Sequence, residues 1–249
     1  MKRSMVWMSV VSGLLFGFQG GAQAMVIAGW EVDGVTVSTG AGLDEHSSPY
    51  TFQASTLDAH MVSAQLTLGS GVNPSTATNQ YGFRISDTQN SLAGAIASGH
   101  YLEVALQVAE GYALNLDRLE MRGNTTATGC DDVAWMSSVA GFVPGYELVS
   151  LSGRQSAGTG GLDTAASGFG GPIDLGADPY QQLTGTVLFR LYGWNSGSST
   201  GVTRIRNLSG EDLVFYGSVN AIPEPSSLAL IGLVSAAWFI RRRRFRHAR

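Results

Sequence analysis

Tyr101-Leu-Glu-Val-Ala-Leu-Gln-Val108 carries an apolar residue at every second position, with Leu102, Val104, Leu106 and Val108 on one face. A period of two belongs to a strand with one buried face, not to a helix. After Glu110-Gly111, Tyr112-Ala-Leu-Asn-Leu-Asp-Arg-Leu-Glu-Met121 continues the pattern and sets Leu114 and Leu116 together. The two runs predict a hairpin turning at Glu110-Gly111. Thr186–Tyr192 and Val202–Arg206 predict a later pair, joined by Gly193-Trp-Asn-Ser-Gly-Ser-Ser-Thr-Gly201. Leu213–Val219 is a last strand, and Met61–Leu68 and Tyr81–Ile85 are earlier ones. Ser91–Ala97 alone suggests a helical turn, and Gly158–Gly171 reads as a long loop. Short strands punctuated by Gly, Ser, Thr, Asn and Asp, about ten in all, predict an all-β chain folded as a single β-sandwich of jelly-roll type.

The ends read differently. Lys2 and Arg3, the apolar Met5–Phe18 and the small-x-small box Ala22-Gln23-Ala24 make residues 1–24 a signal peptide, with cleavage expected after Ala24. The rival is an uncleaved anchor, against which Gly20-Gly21 and the Ala-x-Ala box argue. Between residues 25 and 222 the basic side chains are seven arginines, against 18 Asp and Glu, a net charge of −11. The whole-chain value of −4 hides this. Such a domain repels nucleic acid and anionic membranes. Cys130 is the chain's one cysteine, so no intramolecular disulfide forms, and stability rests on the core.

At the other end Ile222-Pro-Glu-Pro225 is extended, because each proline removes a helical donor and pushes its predecessor out of helical geometry. Ser226–Ile240 follows without a charge, led by serines suited to an N-cap. As a helix it would be roughly 22 Å long, short of the ~30 Å hydrocarbon core. The flank settles the reading: Arg241, Arg242, Arg243 and Arg244, then Arg246 and Arg249, suit a cytoplasmic membrane face, and Trp238-Phe239 suit its interface. Their long side chains can snorkel across part of the missing length. A buried helix with a solvated basic end, or a nucleic-acid tail, are the competing readings.

Pro223-Glu224-Pro225, an apolar helix and an arginine cluster, in that order at a chain end, resemble the PEP-CTERM sorting signal of exported bacterial proteins. The resemblance covers residues 222–249; it departs from the pattern in the extra Phe245–Arg249 and in Trp238-Phe239. It implies recognition by exosortase, an integral membrane cysteine protease that removes the tail and passes the protein to the cell exterior. Ser91–Tyr101, Glu110-Gly-Tyr112 and Val187–Trp194 are in addition similar to an uncharacterised jelly-roll-like domain of exported bacterial proteins, which implies a sandwich without an assigned activity.

Motifs that would carry chemistry are weak. Gly197-Ser198-Ser199-Thr200-Gly201 matches the nucleophile-elbow string, but that motif needs a strand-to-helix turn, and here it joins two strand-like runs. The glycines near 158–171 lack a Gly-Lys-Ser/Thr ending. Asp131-Asp132, and Asp174 with Asp178, offer loop carboxylates for Ca²⁺ but no Asp-x-Asp-x-Asp loop. His46, His60 and His100 have no metal-ligand spacing and read as surface or loop residues. Trp30, Trp135, Trp194 and Tyr192 would form a sugar-stacking platform if exposed, and core packing if not. Asn124-Thr-Thr126 and Asn207-Leu-Ser209 are coincidental sequons.

The expectation is therefore three segments: signal peptide 1–24, exported β-sandwich 25–221, and sorting signal 222–249, with its motif at 223–225, membrane helix at 226–240 and arginine tail at 241–249. No catalytic residue, metal or cofactor is assigned. Exosortase and the Sec translocon are the transient partners, with the membrane; nucleic acid is not one. The protein is expected in the inner membrane transiently, then at the cell surface or outside it, as a non-catalytic surface or matrix protein. A lectin-like module acting on exopolysaccharide is the alternative, and a secreted hydrolase the third reading.

Overall fold

A computed structural model describes residues 25–35, 51–86, 89–154, 160–164 and 168–222. In chain order the elements are β1 Met25–Trp30, β2 Phe52–Gln53, β3 Thr56–Leu57, β4 Met61–Leu68, β5 Asn73–Pro74, β6 Gln80–Arg84 and α1 Leu92–Ser98. There follow β7 Tyr101–Val108, β8 Tyr112–Met121, β9 Gly123–Thr125, β10 Cys130–Ser137, β11 Val149–Leu151 and β12 Gly160–Gly161. The last four are β13 Ile173–Asp174, β14 Thr186–Ser196, β15 Thr203–Arg206 and β16 Leu213–Ala221. All pairings are antiparallel, in three sheets: β13-β8-β16-β1-β3 (sheet 1), β11-β10-β14-β7-β4-β2 (sheet 2) and β12-β9-β15-β6-β5 (sheet 3). The chain is mostly β, as expected.

The alternation at Tyr101–Val108 does what its period dictates. Leu102, Val104, Leu106 and Val108 are buried while Gln107 faces solvent. Phe189 of β14, on the same inner face, meets Phe215 of β16 with ring centroids 4.9 Å apart, so sheet 2 packs on sheet 1. Phe52 of β2 stacks on Tyr81 of β6 at 5.9 Å, which brings sheet 3 into the same core. Thirty-one buried residues from all three sheets form one cluster, an arrangement consistent with a sandwich.

Both expected hairpins are overturned. β7 and β8 do not pair: β7 lies between β14 and β4 in sheet 2, whereas β8 joins β16 and β13 in sheet 1. Residues 109–111, with Gly111 at φ 81, turn the chain from one sheet to the facing one. Likewise β14 pairs with β10 and β7, and β15 with β6 and β9. In each case adjacent strands gain more by burying opposed apolar faces than by hydrogen bonding to each other.

The outer face of sheet 2 is covered too. Ser91 caps α1, its hydroxyl accepting from Gly94 N at 3.1 Å, and Gly99 ends the helix at φ 71. Ala95 of α1 packs with Met136 and Tyr192 as a second small core, edged by Phe142 and Trp194. The strand β10 is thus buried on both faces from Asp132 onwards, which hides the alternation that a strand would otherwise show.

Sheet 1 fixes where the chain's two ends depart. β16 sits between β8 and β1, and Met25 pairs with Gly217, four positions before Ala221. Ala221 still pairs with Tyr112, and Ile222 N donates to Gly111 O at 2.8 Å. Residues 25 and 222 therefore leave from the same end of adjacent strands.

Candidate functional site

Most residues expected to do work fall outside the described residues: Ala22 and Ala24, Pro223-Glu224-Pro225, the 226–240 segment, and Arg241–Arg244, together with His46. Among the described residues no helix is long and apolar enough to cross a membrane. What is described is the launch point of the tail. Ile222, half exposed, is hydrogen-bonded to the sheet, so the Pro-Glu-Pro sequence follows the fold without an intervening linker. The last nine residues of the fold are an interior strand, and the tail is its direct continuation.

The sugar-stacking platform does not exist as proposed from sequence. Trp30, Trp135 and Tyr192 are each 0 % exposed, and only Trp194 is half-buried. Trp30 donates its indole N–H to Phe52 O at 3.2 Å and meets Phe215 edge-on; it is part of the core. The signal that could have separated core from platform is the neighbouring sequence: Trp135 lies in Val-Ala-Trp-Met, apolar on both sides.

The carboxylates also moved. Asp131-Asp132 belong to strand β10, not a loop, and Asp132 accepts from Asn195 Nδ2 at 2.6 Å. Asp174 lies in β13 and caps Gly176 N at 2.8 Å. Among the described residues no three His, Cys, Asp or Glu side chains gather to hold a metal ion. A tighter acidic group was missed. Asp212, fully buried, accepts from Val32 N at 3.0 Å and Leu208 N at 2.8 Å, and so ties β1 to the start of β16. Glu31 is beside it. Its burial, then the Asp212 charge and a hydrogen bond shared with it, push the Glu31 carboxyl above the ordinary value of 4.5. Glu211 accepts from the Thr56 hydroxyl.

His100 is not a surface residue: it is 1 % exposed and lines a pocket of about 310 Å³ with Ser70, Gly71, Val72, Asn73, Ser86 and Ser98. His60 is exposed, 3.3 Å from Asp58 and stacked near Tyr112. Ser198 and Ser199 lie in the connection from β14 to β15, where the Ser198 hydroxyl bonds Thr200 and no helix follows, so the nucleophile-elbow geometry is not formed. Cys130 is buried against Gly193, and burial pushes its thiol up to about 12. A thiol held neutral in this way is a packing residue. Asn124 of the first sequon is 4 % exposed, inside β9.

Arg190 shows how completely the outer face of sheet 2 is satisfied. Its guanidinium lies over Tyr101 at 4.1 Å and Phe142 at 4.2 Å, with Nε on Glu103 at 2.7 Å and Nη1 on the Tyr192 hydroxyl at 3.1 Å. The ion pair, the hydroxyl contact and the two aromatic faces together lock sheet 2 to its cover.

No curated protein and no solved structure matches the chain. Residues 221–244 match the PEP-CTERM protein-sorting motif. That match begins at the last residue of β16 and spans the Pro-Glu-Pro tripeptide, the apolar segment and the four consecutive arginines. The chain carries a PEP-CTERM sorting motif joined directly to an interior strand of its β fold, which marks it as a surface protein handled by exosortase at the membrane.

Proposed function

We propose that this is an exported, non-catalytic surface or extracellular-matrix protein. Residues 1–24 are its signal peptide, 25–221 its one folded domain, a jelly-roll-type sandwich, and 222–249 a tail that holds it in the inner membrane until exosortase removes it. The observation that carries the reading is the sorting motif at 221–244. The direct junction at Ile222 supports it, because a complete fold stands between the translocated end and the tail. The reading gives the Ser198 hydroxyl and the Asp212 carboxylate structural roles, since both accept from backbone amides.

Replacing Pro223-Glu224-Pro225 by three alanines in the native host tests the assignment. Alanine restores helical backbone donors and removes the extended strip. Full-length protein should then accumulate in the membrane fraction, while the released form disappears from the surface and medium. Normal maturation of that variant would overturn the role given to the tripeptide.

A further inference from the structure

Three of the domain's seven arginines fall on one face. In sheet 3, Thr203 and Ile205 point into the core with Tyr81 and Phe83, so Arg204 and Arg206 emerge on the opposite side. Arg84 emerges there too, since it follows buried Phe83 on β6. The same face holds Asn124, paired with Arg204, and Gln80, paired with Arg206. Residues two apart on a strand are about 6.8 Å apart, so the Cα positions of the three arginines form a diagonal across two strands.

Arg204 is at the centre, and its setting is unusual for this chain. Its Nε donates to Asn124 Oδ1 at 2.8 Å and its Nη1 to Gln80 Oε1. Both partners are neutral amides and nearly buried, at 4 % and 2 % exposure. Gln80 is held in turn by Ser75. Gly82, facing Arg204 across the pair, has no side chain, and a methyl group there would strike Arg204 Cβ and Thr203 O. The stem is thereby pressed onto the sheet and the fork is oriented before any ligand arrives. Among the described residues no carboxylate bonds Arg204; burial and then the Arg206 charge depress its pKa. Arg206 keeps one partner, Asp163 at 3.0 Å, and Arg84 donates to Pro74 O at 2.9 Å. A chain with 18 acids between residues 25 and 222 thus seats a half-buried guanidinium among amides. A partly desolvated cation to which no carboxylate is bonded among the described residues is costly, and the Nη1 and Nη2 N–H groups that Asn124 and Gln80 do not engage match an oxyanion through two parallel hydrogen bonds.

We propose that the outer face of sheet 3 is an oxyanion-binding site, in which Arg204, flanked by Arg84 and Arg206, takes a carboxylate, sulfate or phosphate-ester group. Asn124 and Gln80 orient the central fork, and the two flanking arginines supply long-range attraction in a domain that otherwise repels anions. The site is independent of the sorting assignment.

The test is calorimetric titration of the full-length protein in detergent with sodium sulfate, at ionic strength held constant with chloride. Dextran sulfate and uncharged dextran serve as further arms that separate a free ion from a polymer-borne group. Saturable sulfate or dextran sulfate binding is expected, with none to dextran. Arg204→Gln should weaken it about tenfold or more, since a charge-assisted bidentate contact is lost. Arg206→Gln, at a side chain 39 % exposed and so tolerant of replacement, should weaken it about threefold. Arg118→Gln removes the same charge from sheet 1, where Arg118 is paired with Glu120 and Asp117, and should change affinity by no more than about twofold. Equal losses for Arg118→Gln and Arg204→Gln would reduce the effect to net charge and overturn the site. So would wild-type affinity in both Arg204→Gln and Arg206→Gln, or absence of binding by the wild type. If circular dichroism shows Arg204→Gln unfolded, Arg206→Gln against Arg118→Gln decides.

Discussion

Phe189→Ala removes the ring that joins the two large sheets. Phe189 is fully buried, 4.9 Å from the Phe215 ring and 6.2 Å from Tyr180. Truncation loses about 2 kcal/mol of transfer free energy for a buried aromatic side chain. A void of roughly 100 Å³ at ~24 cal/mol per Å³ adds about 2 kcal/mol. The sum, about 4 kcal/mol, is a large share of the ~5–15 kcal/mol typical of a folded domain. Urea denaturation followed by tryptophan fluorescence suits the measurement, because Trp30 and Trp135 are fully buried and report the loss of the core. The pairwise part is isolated by a double-mutant cycle with Phe215→Ala, whose ring also meets Trp30 edge-on. An aromatic pair in contact should show coupling of roughly 0.5–1.5 kcal/mol. A Phe189→Ala loss under about 1 kcal/mol, or additivity in the cycle, would refute the packing of sheet 2 on sheet 1 through these rings.

Glu31 gives a pH prediction. Its folded-state pKa lies above the ordinary 4.5, so the folded protein holds the proton longer than the unfolded chain does. The associated stability is full below about pH 4.5 and is lost as pH rises through the elevated folded value. Glu31→Gln should remove that loss, so that denaturation midpoints fall less with rising pH than in the wild type; an unchanged pH slope would count against it. Cys130, with its thiol pushed up to about 12, should resist iodoacetamide at pH 8 while folded and be alkylated in urea, as read by intact mass. Rapid labelling of the native protein would contradict its burial.

Strand positions were legible where one face met water. Met61–Leu68, Tyr101–Val108 and Tyr112–Met121 coincide with β4, β7 and β8, because alternation records a one-sided burial. The helical turn expected over Ser91–Ala97 likewise falls on α1. Pairing was not legible. Two strands with a three-residue connection form a hairpin or face each other across a core with the same local pattern, and distant partners such as β14 and β16 decide which. β10 escaped notice for a related reason: α1 and Phe142 cover the outer face of its sheet, leaving no polar side to alternate with. The same covering turned Tyr192 from a candidate ligand contact into core, whereas Trp135 lies on the inner face with Leu191, in the main core. The arginine face was invisible because Arg84 is distant in sequence from Arg204 and Arg206 and joins them only through the β6–β15 pairing.

Residues 25 and 222 leave sheet 1 at one pole, and Arg206, bonded to Arg122 O beside Asp212, belongs to the other. A nine-residue strand spans about 30 Å. On the proposed assignment, a tail held in the membrane would fix the domain by the pole of residues 25 and 222, with the start of β16 about a strand's length away from the lipid. Tension along the tail runs through an interior strand whose hydrogen bonds on both flanks lie crosswise to the pull, so they share the load together instead of opening one after another. Removal of the tail at this junction would free that pole and leave the arginine face of sheet 3 untouched.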